Sequence, residues 1–445
     1  MKILITNTVA LNGGDAAILL AIIDLLRSEF GENTEFILYD NQPQIAQRYY
    51  PTLQFRQQLY LQIATLLALK SLGQSWLGRG LRQIVQLGWQ QTVWFHRYRF
   101  YLAAWCGRHR LPAISRLLLN PVEWQDLEHY NSADLIVSTG GTYLVEKYSL
   151  AARIFDFHIS LLLGKPLVFY TQSLGPFANP GNRTKLRQIF DRALLILLRD
   201  EASLRHIQAL GIRGNNTQVS SDVVFALRTQ PTPLGDRPAV LSTGRPRIAI
   251  SVRYWHLFNH ISPELGLHNY RAAIAALTQF LVKDHQAEVT FLSTCQGIPE
   301  YWTDDSQFAT SIFELLPAEV QAHVSVNREF HTPQTLVEWL SACDMIVATR
   351  MHMCILGLVA GTPVLPIAYE FKTKELFNRL GMGQWVHDIE TIDDESLVSS
   401  AKKFLQALPD IQQILPKEVA KERERATESG ALVKQAFDQW QAKNS

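Results

Sequence analysis

The sequence predicts an α/β protein of two domains, each wound on a parallel sheet, with a basic helical insertion in the first. Three observations carry this expectation. The chain has 445 residues, more than one ordinary hydrophobic core accommodates. Its composition, 47% hydrophobic and 19% charged, is that of a folded globular protein. Short β-rich runs alternate with longer helical patterns in two series, separated by the Pro- and Gly-rich stretch Thr229–Pro246. The expected division is a domain over 1–230, a domain over 246–416 and a C-terminal helix over 417–445.

Lys2–Thr6 is a compact apolar first strand, Leu11–Asp15 a loop, and Ala16–Phe30 an apolar-periodic helix. Asn41–Pro121 differs from the rest of the chain: it holds no Asp or Glu but ten Lys and Arg, with Trp76, Trp89, Trp94 and Trp105 among them. Such a segment suits helices on an anionic membrane surface. It equally suits a helical insertion packed on the first domain with a solvated basic face. Asp134–Ser138, Leu167–Thr171 and Ala193–Leu198 read as buried strands. The second series opens with Arg247–Arg253. A helix near Tyr270–Lys283, strand Glu288–Ser293 and helix Pro333–Ala342 follow. Strand Asp344–Ala348, helix Met353–Ala360, strand Pro363–Ile367 and helix Lys372–Leu380 complete it. The tail Lys417–Lys443 is charged and helix-forming, either packed back on the first domain or frayed.

A net charge of +1 gives no general attraction to nucleic acid. Cys106, Cys295, Cys343 and Cys354 form no CxxC pair, which fits a reducing compartment and speaks against structural zinc. The start MKILITNTVALNGGD reads as a core strand, not a signal peptide. No apolar run reaches the ~20 residues of a membrane span. The expectation is a cytoplasmic protein, with the basic segment offering contact at the inner face of the membrane.

Open parallel sheets bind ligands beyond the carboxyl ends of their strands, so the loops there are the candidate site. Asn12-Gly13-Gly14-Asp15 follows the first strand and opens a helix, where glycines and the helix N-terminus favour close approach of an anion. Its spacing is not GxGxxG, so a dinucleotide is weakly supported. Thr139-Gly140-Gly141-Thr142 repeats the arrangement, and Gln172-Ser173-Leu174-Gly175-Pro176 and Arg199-Asp200 follow the next two strands. The strongest signal is Thr349-Arg350-Met351-His352: Arg350 offers a fork of donors for carboxylate or phosphate, and His352 can pass a proton near neutral pH. Tyr369-Glu370-Phe371-Lys372 places a lysine at a helix start, unfavourable to the dipole unless an anion is near. Arg253 is a further cation at the end of its strand. These loops predict a phosphate-bearing anion held in a cleft between the domains.

With these loops in view, the chain resembles the polysaccharide pyruvyl transferase family. The resemblance rests on Asn12-Gly13-Gly14-Asp15, Gly140-Gly141, Gln172-Ser173-Leu174-Gly175-Pro176, Arg199-Asp200-Glu201-Ala202-Ser203 and Ser221-Asp222. Its most specific part is the block Arg350, His352, Gly361, Pro363, Tyr369 and Lys372. The resemblance implies two Rossmann-like domains facing a cleft, a GT-B-like fold. It also implies transfer of the pyruvyl unit of phosphoenolpyruvate to a sugar of a polysaccharide or its lipid-linked precursor. Arg350, Met351, Lys372, Arg199 and Arg253 would then hold phosphoenolpyruvate, and His352 would protonate it. Asn12, Gly14, Asp15, Gly140, Gly141, Gln172, Gly175, Asp222 and Tyr369 would line the cleft. No cofactor or metal is implied beyond phosphoenolpyruvate as co-substrate. The alternatives are a GT-B-type glycosyltransferase using a nucleotide sugar and a non-catalytic polysaccharide-assembly protein.

Overall fold

The computed structural model describes residues 1–59, 95–212, 214–229 and 244–444. The expected linker, apart from its edges, and the centre of the basic insertion lie outside the described residues.

Two compact units are present, each built round one parallel sheet. The first sheet contains β1 (Lys2–Thr8), β2 (Glu35–Asp40), β3 (Phe55–Gln57), β4 (Leu135–Ser138), β5 (Gly141–Leu144), β6 (Leu167–Leu174), β7 (Leu195–Leu198) and β8 (Thr217–Val219). Its order is β3-β2-β1-β4-β6-β7-β8, with β5 paired to β6. The second contains β9 (Arg247–Ser251), β10 (Glu288–Phe291), β11 (Val324–Val326), β12 (Met345–Ala348), β13 (Val364–Ala368) and β14 (His387–Asp388), in the order β11-β10-β9-β12-β13-β14. Ile3-Leu4-Ile5, Leu195–Leu198 and Met345–Ala348 are all buried, as expected of parallel strands covered on both faces.

Both sheets reverse direction beside their first strand, between β1 and β4 and between β9 and β12. Such switch points open a crevice at the strand carboxyl ends. In the second sheet the crevice is flanked by Arg253 and by Thr349-Arg350. The helix Met351–Val359 that follows is apolar on all sides and almost wholly buried. Gly357 lets it approach the sheet closely, because a Cβ there would collide with Ile346 of β12. The residues at its start are therefore held by a tightly packed element.

Thr139–Thr142 is expected as a loop whose backbone N–H groups can point into the cleft. The structure instead puts Gly141 in β5, opposite Gln172 of β6, at φ 125°. GTYL carries no apolar alternation, so nothing local announces this strand. The units also depart from chain order. Leu11–Asp24 belongs with Ser221–Glu428, and Ser429–Ser445 with the first unit. The C-terminal helix runs over Asp394–Asn444, longer than the sequence suggests, and contains Pro409 and Pro416. Its last part packs on the first unit: Ser429 Oγ lies 2.8 Å from Tyr170 Oη, and Phe437 meets Phe30 edge-on at 5.6 Å.

Candidate active site

The second unit gathers most of the expected residues. Arg350 is the N-cap residue of the helix Met351–Val359, and Met351 is its buried first residue. The guanidinium of Arg350 grips Asp305: Nε donates to Oδ2, and Nη2 to Oδ1 at 2.8 Å. Asp305 is 1% exposed and also accepts a hydrogen bond from Ser293 Oγ. Burial opposes the charge on Arg350, and Asp305 more than offsets it, so the guanidinium is firmly cationic. Two arms of the fork expected to face a ligand are thus committed to Asp305.

His352 follows in the first turn. Its Nε2 lies 3.6 Å from Oδ2 of Asp222, an ion-pair distance beyond hydrogen-bond range. Asp222 is buried, and its Oδ1 accepts the Val224 N–H at 3.0 Å. On the other side of the ring stands Gly14, where any Cβ would collide with Nδ1. Only glycine lets the backbone pass this close to the ring.

The helix carrying Gly14 begins at Gly13, not Ala16. The Gly13 N–H donates to Thr294 O at 2.9 Å, and the Gly14 N–H to Asn12 Oδ1 at 3.0 Å. Donors expected to greet an anion are therefore spent within the protein. Asp15 lies in the first turn, where its charge suits the helix dipole. Nearby, burial pushes the Tyr301 phenol well above its ordinary value, with Cys295 and Asp15 adding to the effect, and Asn12 hydrogen-bonds to it. Burial also lifts the Cys295 thiol to about 12, so it is a neutral thiol and no nucleophile.

Arg253 stacks on aromatic faces, 4.3 Å from the Tyr369 ring centroid and 5.0 Å from that of Trp255. Among the described residues no carboxylate pairs with it, and its buried Nε has no hydrogen-bond partner. Lys372 Nζ lies 2.9 Å from Glu370 Oε2 and 5.8 Å from the Tyr369 ring centroid. The helix starts at Phe371 with Glu370 at its N-cap. The anion that a lysine requires here is Glu370 itself.

The remaining residues stand in the first unit. Arg199 is 4% exposed; its Nε donates to Ser173 Oγ at 2.7 Å and its Nη2 to Thr142 Oγ1 at 2.6 Å. Gln172 donates from Nε2 to Thr139 O and, at 2.8 Å, to Tyr143 Oη. Gly140 is buried between β4 and β5. Gly175 is required twice over: its φ is 76°, and a Cβ would stand 2.8 Å from His206 Cβ. These contacts bind successive strand ends to one another.

Sequence reasoning missed Asp305 and Tyr301, and the buried group round Asp156 in the first unit. Thr6 Oγ1 and Tyr130 Oη donate to Asp156, and Asn7 Nδ2 does so at 3.5 Å. Burial raises the Asp156 carboxyl from 3.8 to about 6, with Thr6 and Tyr130 opposing. Asp156 lies in an apolar helix, Ala151–Leu162, and a lone acid on a buried helical face was the signal that could have found it. Among the described residues, no group of three His, Cys, Asp or Glu side chains is placed to hold a metal.

The sequence profile described as "Polysaccharide pyruvyl transferase" matches residues 12–370. The amylovoran biosynthesis protein AmsJ of Erwinia amylovora is 25% identical over 297 residues, 65% of this chain and 70% of AmsJ. Among solved structures, Anabaena Alr3699/HepE in complex with UDP superposes with a TM-score of 0.52 at 14% identity, over 99% of this chain and 100% of that one. Sucrose-phosphate synthase from Thermosynechococcus elongatus gives 0.53 at 10% identity, over 100% of both. At such identities the likeness is one of fold, a GT-B-like α/β fold with two domains.

Proposed function

The chain belongs to the polysaccharide pyruvyl transferase family, and on that premise we propose that it moves the pyruvyl unit of phosphoenolpyruvate onto a sugar, forming a pyruvate ketal. The observation that carries this reading is one cluster in the second unit. There an imidazole backed by Asp222 stands two residues from Arg350, and Arg253, stacked on Tyr369, has no carboxylate partner among the described residues.

Phosphoenolpyruvate carries a carboxylate and a phosphate, and Arg253 is the group best placed to engage one of them. Its stacked guanidinium is pre-oriented, and its charge is not already neutralised by an acid. Arg350, through the arm left by Asp305, and Lys372 add N–H donors, their charges being balanced by Asp305 and Glu370. Arg199 is assigned instead to ordering the first unit's loops, because its Nε and Nη2 bind Ser173 and Thr142 of neighbouring strand ends.

His352 protonates the methylene carbon of the enol, leaving an oxocarbenium-like centre at the neighbouring carbon. One sugar hydroxyl adds there, and a second displaces phosphate to close the ketal. The two hydroxyl protons replace the proton given by His352 and the one leaving with phosphate, so the histidine is regenerated. Asp222 steadies the imidazolium form, and Gly14 leaves room for the ring beside its backbone. The acceptor is a sugar of an exopolysaccharide or its lipid-linked precursor; the latter would bring the enzyme to a membrane surface.

The test is a thermal shift of the purified chain with phosphoenolpyruvate, UDP-sugars and GDP-sugars. A ligand at 100 times its Kd stabilises the folded state by about 2.7 kcal/mol, readily seen in Tm. The expected result is a shift with phosphoenolpyruvate that Arg253→Ala abolishes. A shift with a nucleotide sugar alone makes the protein a glycosyltransferase, and no shift with any of them makes it a non-catalytic assembly protein.

A further inference from the structure

We propose that the helical hairpin over residues 95–122 of the first unit docks on an anionic membrane, laying an apolar stripe and the hairpin's exposed arginines into the lipid interface. The chain is helical from 95 to 108 and again over Pro112–Leu118. The two helices are fastened together: the Leu111 N–H donates to Cys106 O at 2.9 Å and Ser115 Oγ to Ala103 O at 2.8 Å. One face is internal, with Phe100, Ala103 and Ala104 buried and the Phe100 and Tyr101 rings edge-on to Phe155 at 5.9 and 5.2 Å.

The opposite face of the first helix presents Phe95, Tyr98, Leu102 and Trp105, between 38% and 59% exposed, at the spacing of one helical stripe. Leu111, at the N-cap of the second helix, and Ile114 and Leu117 within it are exposed too, Leu117 to 87%. Single exposed apolar residues are ordinary, but seven of them on two joined helices are a patch with a use.

Charge selects the partner. Arg110 and Arg116 are exposed on the same hairpin, Arg108 donates to Leu162 O at 2.8 Å, and 41–121 contains no Asp or Glu. The next acid, Glu123, is buried and accepts from Arg99 Nη2 at 2.6 Å and from the Asn120 N–H at 2.9 Å. Two copies meeting through this hairpin would set arginine against arginine, since 95–122 itself carries no carboxylate. Anionic headgroups supply the missing charge, and an amphipathic basic hairpin lies in the interface plane. No helix of the described residues is long and apolar enough to cross a membrane. The inference does not depend on the donor chemistry.

Flotation of the full chain with phosphatidylcholine vesicles, with and without phosphatidylglycerol, tests it. The chain should float with the anionic vesicles only, and less at high salt. Each arginine near the surface is worth about fivefold in partitioning, so Arg110→Gln with Arg116→Gln should lower it roughly 25-fold. Trp105→Ser with Leu117→Ser should lower it as well, and Tm should stay unchanged in both variants because all four side chains are exposed. No flotation of the wild type, or flotation undiminished in both variants, overturns the proposal. So does a concentration-dependent dimer that Trp105→Ser with Leu117→Ser dissolves, which would make the face an interface between copies.

Discussion

At His352 the ring has a different neighbour on each nitrogen, and each neighbour makes its own prediction. Replacing His352 by Ala should lower kcat by about 10²–10⁴-fold while phosphoenolpyruvate still raises Tm, since general acid catalysis is worth that much. Near-normal turnover would remove the histidine from the chemistry. Asp222→Asn removes the charge facing Nε2 but keeps a side chain able to cap Val224. It should lower kcat with little change in donor KM; an effect on KM alone would mean that Asp222 shapes the pocket and does not steady the imidazolium. Arg253 should behave in the opposite way. Arg253→Lys keeps a charge but loses the planar stack on Tyr369 and Trp255, so donor KM should rise with kcat much less affected. The pair Arg350 and His352 was legible in the chain as a short motif after an apolar strand. Asp222 and Gly14 as neighbours of the histidine were not, because three distant segments meet there only after folding.

At the scale of elements, the starts of helices decide what is available to a ligand. Loops rich in glycine ahead of helices read as anion sites, yet the N–H groups of Gly13 and Gly14 already serve Thr294 and Asn12. The lysine at the start of Phe371–Arg379 finds its anion one residue outside the helix, in Glu370. Arg350 is matched by Asp305 from the first turn of the helix Asp305–Phe313. A buried pair of this kind is costly to break from one side. Asp305→Ala should destabilise the chain by about 3–5 kcal/mol, read by chemical denaturation, because it strands a buried guanidinium. A loss under 1 kcal/mol would show that water reaches Arg350 and that its fork is more open to ligands than its burial implies. Periodicity could mark where these helices begin to within a few residues. It could not say which carboxylate would answer which cation.

At the scale of the whole molecule, Asp156 ties stability to pH. Folding raises its pKa from 3.8 to about 6, so the folded chain holds this proton more tightly than the unfolded one. The stabilisation is complete below the unfolded value and is lost as pH rises through about 6, a contribution on the order of 3 kcal/mol. Asp156→Asn should therefore flatten the fall in Tm between about pH 4 and 6, and an unchanged slope would place the titration elsewhere. The sequence by itself determined the α/β class, the two series of strands and the loops that carry the site. Strands such as Leu195–Leu198 and Met345–Ala348, buried on both faces, must be apolar along their whole length, and that requirement is written in adjacent residues. Tertiary structure alone decided that GTYL joins the sheet as β5, that Leu11–Asp24 belongs with the second unit, and that Asp305 and Glu370 answer two of the expected donor cations. Those outcomes depend on which surfaces pack together across the chain, and hydrophobic period records only that a face will be buried, not what will meet it.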